Sequence, residues 1–336
     1  MTDNCINTRE LAYSIGGLLY TPAINDRAAD KVIAGTFPCL RSLALCLEDA
    51  ILGTAVETAE KTLAATLGKL YTHRENGGAG LPLLFVRVRS PEHLSHVHEM
   101  LGSLEDILCG YILPKFDHSN AESYIDTMTG INAASRRTVF AMPILESSRI
   151  ADRSGRISEL SEIKRVTDAA KRLILNIRVG GNDLCSLYGV RRTVSQTIYD
   201  IGVVRDILTD IINVFSFDHV VSGPVWEYFG RAGSPDERWK DGLERELRLD
   251  MLNGFIGKTA VHPSQLPVIC RALQPTKSDY DDAVRIINWS AEVSGVGKSS
   301  DGTRMNEVKC HRRWAEKIRI LGDIYGVKED GVEKLI

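Results

Sequence analysis

Two carboxylates far apart in the chain, Glu146 and Asp183, and two cations, Arg87 and Lys115, have side chains that could act together. Hard oxygen ligands hold Mg2+ or a similar divalent cation, usually one or two carboxylates completed by water and substrate oxygens. An arginine beside them can grip a substrate carboxylate through paired hydrogen bonds. Such a site polarises a carbonyl and stabilises an enolate, the demanding intermediate when a C–C bond beside a carbonyl is made or broken. Glu146 and Asp183 are therefore the expected metal ligands and Arg87 the expected carboxylate clamp. The acids Glu48 and Asp49, the lysine Lys115 and the backbone around Gly180, Gly181, Gly223 and Pro224 complete the set, with the glycines allowing close approach of a ligand.

These residues share one property, which is that each follows a short apolar run. Runs bounded by Gly, Pro or polar residues predict strands near Gly17–Thr21, Leu43–Leu47, Leu83–Val88, Gly110–Leu113, Val139–Leu145, Leu173–Ile177, His219–Val221 and Phe255–Val261. Helical spacing of apolar positions predicts helices over Arg27–Ala34, Ala55–Leu70, Pro91–Leu104, Ala121–Ala134, Ile157–Ala170, Ser195–Val214, Asp236–Leu252 and Ser264–Ala272. Strict alternation over about 250 residues has the size and rhythm of an α/β (β/α)8 barrel, a TIM barrel, in which chemistry gathers at the C-terminal ends of the strands. A doubly wound open sheet is the alternative, with fewer strands for this length. The barrel is expected to fill residues 1–275. Residues 276–336 are expected to form a helical arm or lid packed on a neighbouring subunit, with helices near Thr276–Trp289 and Val308–Tyr325 joined by a Gly/Ser-rich connector at Ser294–Gly302.

Composition narrows the class of partner. Among 336 residues, 44 acids against 41 bases leave a net charge of −3, which argues against nucleic acid as the partner and for a small molecule. No apolar run approaches the roughly 18 residues of a membrane span, and the N-terminal stretch with Asp3 does not read as a signal peptide. Seven cysteines, odd in number and never spaced C-x-x-C, fit reduced thiols and a cytoplasmic location.

Plainer readings stand beside each of these. Glu48-Asp49 could be acids favoured at a helix N-terminus, Lys115 a surface ion-pair lysine, and His262-Pro263 a helix start. Three other signals are weaker still. GVGKSS (295–300) has Glu292 where a phosphate-binding loop needs its first glycine, NGGAG (76–80) precedes a strand and reads as a turn, and His93, His96 and His98 lie on a helix with only the first two sharing a face.

The chain also resembles the citrate lyase β-subunit family of the HpcH/HpaI aldolase superfamily, from about Leu18 to Trp314. The resemblance is carried by LLYTPAINDRAADKVIAG (18–35), LCLEDAI (45–51), FVRVR (85–89), GYILPK (110–115), PILESSRI (143–150), GGNDLCSLYG (180–189), GFIGKTAVHPSQL (254–266) and DGTRMNE (301–307). It implies Mg2+ on Glu146 and Asp183, Arg87 on the substrate carboxylate, and Arg27 with Glu48-Asp49 at the substrate mouth. Lys115 and His262 would have supporting roles. It further implies trimers or hexamers whose C-terminal arm reaches a neighbour's site, and acyl thioester substrates carrying a 3-hydroxy-carboxylate, with coenzyme A as a possible thiol. Two departures stand out. The family's aspartate in Leu-Asp-Leu-Glu-Asp is Cys46 here, and its arm aspartate, a catalytic acid/base, aligns with Asn306, leaving Glu307 or Asp301 as the nearest replacements.

The expected activity is thus a Mg2+-dependent C–C lyase or aldolase acting on a carboxylate-bearing hydroxy or keto acid, or its acyl thioester. Two rivals are a Schiff-base aldolase with Lys115 as nucleophile, and a barrel that binds a metabolite without turning it over.

Overall fold

The computed structural model describes residues 7–230, 235–290 and 294–330. They fall into two compact units, one spanning Asn7–Ile269 and one starting at Cys270.

The first unit runs α1 (Thr8–Ser14), β1 (Gly17–Pro22), α2 (Ala28–Ile33), β2 (Ser42–Cys46), α3 (Val56–Glu75), β3 (Leu83–Arg87), α4 (Pro91–Leu101), β4 (Leu108–Leu113), α5 (Ala121–Ala134) and β5 (Phe140–Leu145). It continues through α6 (Ser148–Ala151), α7 (Arg156–Ala169), β6 (Ile177–Val179), α8 (Gly181–Leu187), α9 (Gly202–Phe215), β7 (Val221–Ser222), α10 (Arg238–Leu252), β8 (Lys258–Ala260) and the first part of α11 (Gln265–Ala272). Every neighbouring pair of strands is parallel, in the order β7-β6-β5-β4-β3-β2-β1-β8. A bridge between Gly223 and Lys258 joins the two ends. Sequential order with closure is the (β/α)8 barrel, and it excludes the open doubly wound sheet, whose strand order reverses at a switch point.

Local sequence explains the boundaries. Ser90 accepts a hydrogen bond from His93 N at 3.2 Å and Pro91 opens α4, so that helix starts where a capping serine and a proline at the first position put it. In α9, Val204, Ile207, Leu208, Ile211 and Phe215 recur at helical spacing and are all buried.

Side chains alternate across each strand, and the inward set is what builds the site. Leu18, Ala44, Phe85, Ile112, Met142 and Ile144 share one buried cluster with Ala12 and Ile15, so α1 and the residue after it join the apolar filling of the barrel. Two residues further along the same faces come Tyr20, Cys46, Arg87 and Glu146, which line a cavity. The interior thus changes from apolar to ionic within one pleat.

Three of the differences from the expected elements bear on the site. The sixth strand pairs at Ile177–Val179, beyond the apolar run Leu173–Ile177, because its register is set by Ile144 opposite Arg178; Ile174 makes only a bridge to Ala141. Helix α9 starts at Gly202, not near Ser195, since Thr197 and Asp200 form a capping box over a separate short turn. Asp183 sits in the first turn of α8, a short helix absent from the expected set.

The second unit contains α12 (Lys277–Ile287), an antiparallel hairpin of β9 (Val296–Lys298) and β10 (Met305–Glu307), and α13 (Val308–Tyr325). Both expected helices are present, and the GVGKSS stretch supplies β9 of a hairpin. Ala283 and Ile286 pack on Ala315 and Ile318. The helices approach closely: a Cβ on Gly322 would lie 2.3 Å from the Tyr280 ring.

Candidate active site at the mouth of the barrel

A cavity of about 460 Å³ opens at the C-terminal ends of the strands. Its charged lining is Asp49, Arg87, Glu146, Arg178 and Asp183, from the ends of β2, β3, β5 and β6. This is the size and placement of a small-molecule site in a barrel.

Arg87, at the end of β3, is the hub. Its Nη2 lies 2.8 Å from Glu48 Oε2, 3.1 Å from Asp49 Oδ2 and 3.1 Å from Glu146 Oε1. Nη2 serves all three contacts, and among the described residues the buried Nε has no hydrogen-bond partner. Burial alone would weaken the guanidinium's hold on its proton, but Tyr20, Glu146 and Glu48 outweigh it and raise the pKa above its ordinary value.

Glu146 follows β5 and is buried. Its Oε1 accepts from Arg87 Nη2 and, at 2.9 Å, from Lys115 N. Lys115 reaches that position with φ 49°, a left-handed conformation that a non-glycine residue adopts at a cost and that aims its N–H at Glu146. Neither bond uses Oε2, which lies against Gly180; a Cβ there would come within 2.0 Å of it. Burial, helped by repulsion from Asp183 and Glu48 and opposed by Arg87, pushes the Glu146 carboxyl up to about 8.

Glu48, Asp49 and Lys115 form a brace beside this. Lys115 Nζ lies 2.6 Å from Glu48 Oε1 and 3.3 Å from Asp49 Oδ1. Burial and the hydrogen bond with Asp49 raise the Glu48 pKa. Burial would raise Asp49 as well, yet its bond with Glu48 and the charges of Arg87 and Lys115 prevail and lower it. For Lys115, burial is overcome by Glu48 and Asp49, which raise its pKa.

The donor set suits a hard divalent cation. Glu146 and Asp183 face the same cavity, their mutual repulsion would be relieved by a positive ion, and Asp183 has no hydrogen bond or ion pair to any other described residue. Among the described residues no group of three His, Cys, Asp or Glu side chains is arranged to hold a metal ion by itself, so further ligands would be water and substrate oxygens.

Of the residues singled out from sequence, Asp49, Arg87, Glu146 and Asp183 line the cavity, while Glu48 and Lys115 stand behind them as ion-pair partners. Arg27, Gly223 and Pro224 are not in the lining. Arg27 is exposed at the start of α2. Gly223 leaves room for Asp250, whose Oδ2 would lie 2.7 Å from a Cβ there, and Pro224 packs at Gly181. His262 stacks on Phe229 with centroids 4.6 Å apart and bonds Ser264 Oγ, the helix-start chemistry of the plainer reading. Cys46, the position where the resemblance implies an acid, lines the cavity. Asn306, on β10 of the second unit, is 4% exposed and hydrogen-bonds Asp282. His93 and His96 both bond Glu60, and His98 bonds Glu105.

Sequence reasoning missed Tyr20, Arg178 and Thr259. All three are inward-facing strand residues that line the cavity. Alternation within β1 and β8 carried that signal, but it was hidden at Arg178 by the misplaced strand. The motif lysine Lys258 faces the other way, into a buried cluster with Glu246 Oε1 at 2.8 Å and Asp250 Oδ2 at 2.7 Å.

No curated protein shows significant similarity to the chain. Among solved structures, it is similar to CitE from Mycobacterium tuberculosis in complex with magnesium, acetoacetate and coenzyme A, at 19% identity and a TM-score of 0.58, covering 91% of this chain and 98% of that one. It is also similar to RipC from Yersinia pestis, at 15% identity and a TM-score of 0.53, covering 80% of this chain and 99% of that one. At such identities the likeness bears on fold. Membership comes from the family of C–C bond lyases of the TIM-barrel fold, which matches residues 9–327. With that match running from α1 to the end of α13, the chain belongs to the C–C bond lyase family of the TIM-barrel fold.

Proposed function

We propose that the chain is a divalent-cation-dependent carbon–carbon lyase whose substrate is a carboxylate-bearing hydroxy or keto acid, free or as an acyl thioester. The observation that carries this is Glu146: a buried carboxylate, held by Arg87 and Lys115 N through one oxygen, with the other beside Gly180 and with Asp183 facing the same cavity. A cation bound by Glu146 and Asp183 supplies Lewis-acid polarisation of a carbonyl. Arg87 offers the substrate carboxylate the part of its guanidinium that the three carboxylates leave unused, and its charge faces the electron pair released as the C–C bond breaks. Asp49, kept deprotonated by Arg87 and Lys115, is the cavity acid that takes the proton of a substrate hydroxyl. Lys115 keeps Asp49 and Glu48 oriented. Because its pKa is raised and its side chain is about half exposed, it is poorly suited to Schiff-base chemistry, which needs a neutral amine.

The test combines calorimetric titration of Mg2+ into metal-free protein with a panel of hydroxy acids, keto acids and acyl thioesters. Glu146→Gln is expected to weaken Mg2+ binding and to lower turnover by about 10²–10³. Turnover that survives both EDTA and Glu146→Gln would overturn the proposal. A second reading, binding without turnover, is favoured by Asn306, an amide held by Asp282 where the family has an acid. Carboxylate binding with no consumption across the panel would select it.

A further inference from the structure

The cavity holds a second guanidinium that the proposed reaction does not use. Arg178, on β6, is 2% exposed and lines the cavity. Its Nη2 donates to Thr259 Oγ1 at 2.7 Å and its Nη1 to Asn176 Oδ1 at 3.3 Å, both neutral, while its Nε has no partner. Tyr20 stands beside it. Among the described residues no carboxylate lies within ion-pair distance of Arg178, in contrast to Arg87 with three. A buried charge without a counter-ion is costly, and elsewhere the barrel's inward faces carry the usual apolar filling, Leu18, Ala44, Phe85, Ile112 and Met142. Nothing about packing calls for an arginine there. The lining has three acids and two arginines, so a bound dication turns its balance positive by one.

We propose that Arg178, with Tyr20 and Thr259, binds a second anionic group of the substrate, so that the molecule taken by this cavity is negatively charged at two places, as in a dicarboxylate or a phosphorylated carboxylate. The proposal rests on the cavity being the substrate site. It adds the substrate's charge pattern. Arg87 meets the reacting end, and Arg178 selects for the other end by offering a guanidinium that no carboxylate among the described residues neutralises. Without that second anion a ligand leaves the arginine uncompensated, and the penalty is the source of selectivity.

Calorimetry with the full chain in Mg2+ tests this, using butyrate, succinate and 3-phosphonopropionate as probes. The wild-type chain should bind one of the two dianions at least about tenfold more tightly than butyrate, the worth of one charge-assisted hydrogen bond. Which dianion is preferred distinguishes carboxylate from phosphoryl chemistry. Arg178→Met should abolish the preference and leave butyrate affinity within about twofold. A preference unchanged in Arg178→Met, or absent from the wild type while butyrate binds in a Mg2+-dependent way, overturns the anion subsite and leaves the lyase proposal standing. Failure of all three probes to bind overturns both. If Arg178→Met does not fold, Arg178→Lys decides, since it keeps the charge but loses the planar fork: a reduced preference supports the subsite and an undiminished one refutes it.

Discussion

Replacing Glu146 by glutamine should change how stability depends on pH, and the sign follows from its surroundings. In the folded protein the carboxyl holds its proton up to about 8 against an ordinary value of 4.5, chiefly because it is buried. Between those pH values the folded state therefore binds more protons than the unfolded chain, so stability from this group is present at low pH and is lost as pH rises toward 8. Each unit of displacement is worth about 1.4 kcal/mol, which bounds the full effect at about 5 kcal/mol. At about 2 °C per kcal/mol for a chain of this size, the metal-free wild type should lose up to about 10 °C of melting temperature over that range relative to Glu146→Gln, which cannot ionise. Mg2+ should restore more of the wild-type melting temperature at pH 8 than at pH 5, because it binds the ionised form. The assay is a pair of thermal melts by circular dichroism from pH 4.5 to 8.5, with EDTA and with Mg2+. Parallel curves for wild type and Glu146→Gln in EDTA would refute the burial argument.

Other outcomes follow from single residues. Gly180→Ala places a Cβ within 2.0 Å of Glu146 Oε2, so calorimetry should find Mg2+ affinity reduced by about 10–100-fold in a folded protein; unchanged affinity would show that this oxygen is not a ligand. Lys258→Met leaves Asp250 buried without its cation and Glu246 with Arg192 at 3.7 Å, which should cost about 3–5 kcal/mol in urea unfolding, and a loss below about 1 kcal/mol would contradict the buried-cluster account. Borohydride in the presence of pyruvate should leave Lys115 unmodified in peptide mass analysis, because Glu48 and Asp49 keep its amine protonated; a reduced adduct there would revive the Schiff-base route.

Much of the barrel was legible because its strands are short apolar runs closed by chemistry-bearing residues. Asp49, Arg87, Glu146 and Asp183 could be read from position alone, since whatever follows a barrel strand faces the mouth. Tertiary pairing was not legible. The run Leu173–Ile177 is more apolar than Ile177–Val179, yet neighbours fix the register of the latter, and that shift brings Arg178, outside the expected strand, into β6. Gly223 and Pro224 misled for a related reason: a glycine at a strand end can serve a ligand or a neighbouring side chain, and here it makes room for Asp250, which lies 27 residues further along the chain.

The two arginines show why residue type did not suffice. Both are buried arginines on inward faces of the same barrel, and burial weakens each guanidinium's hold on its proton. At Arg87 the surrounding negative groups reverse that effect; at Arg178 they do not, and the pKa stays below its ordinary value. Arg87 therefore has stabilising partners before any ligand arrives, and a substrate anion must compete with Glu48, Asp49 and Glu146 for it. Arg178 has no such competitors among the described residues, so an equal anion gains more there. Discrimination among substrates should consequently be set at β6, and the residues conspicuous in the sequence, clustered around Arg87, should govern the rate of the chemical step more than the choice of molecule.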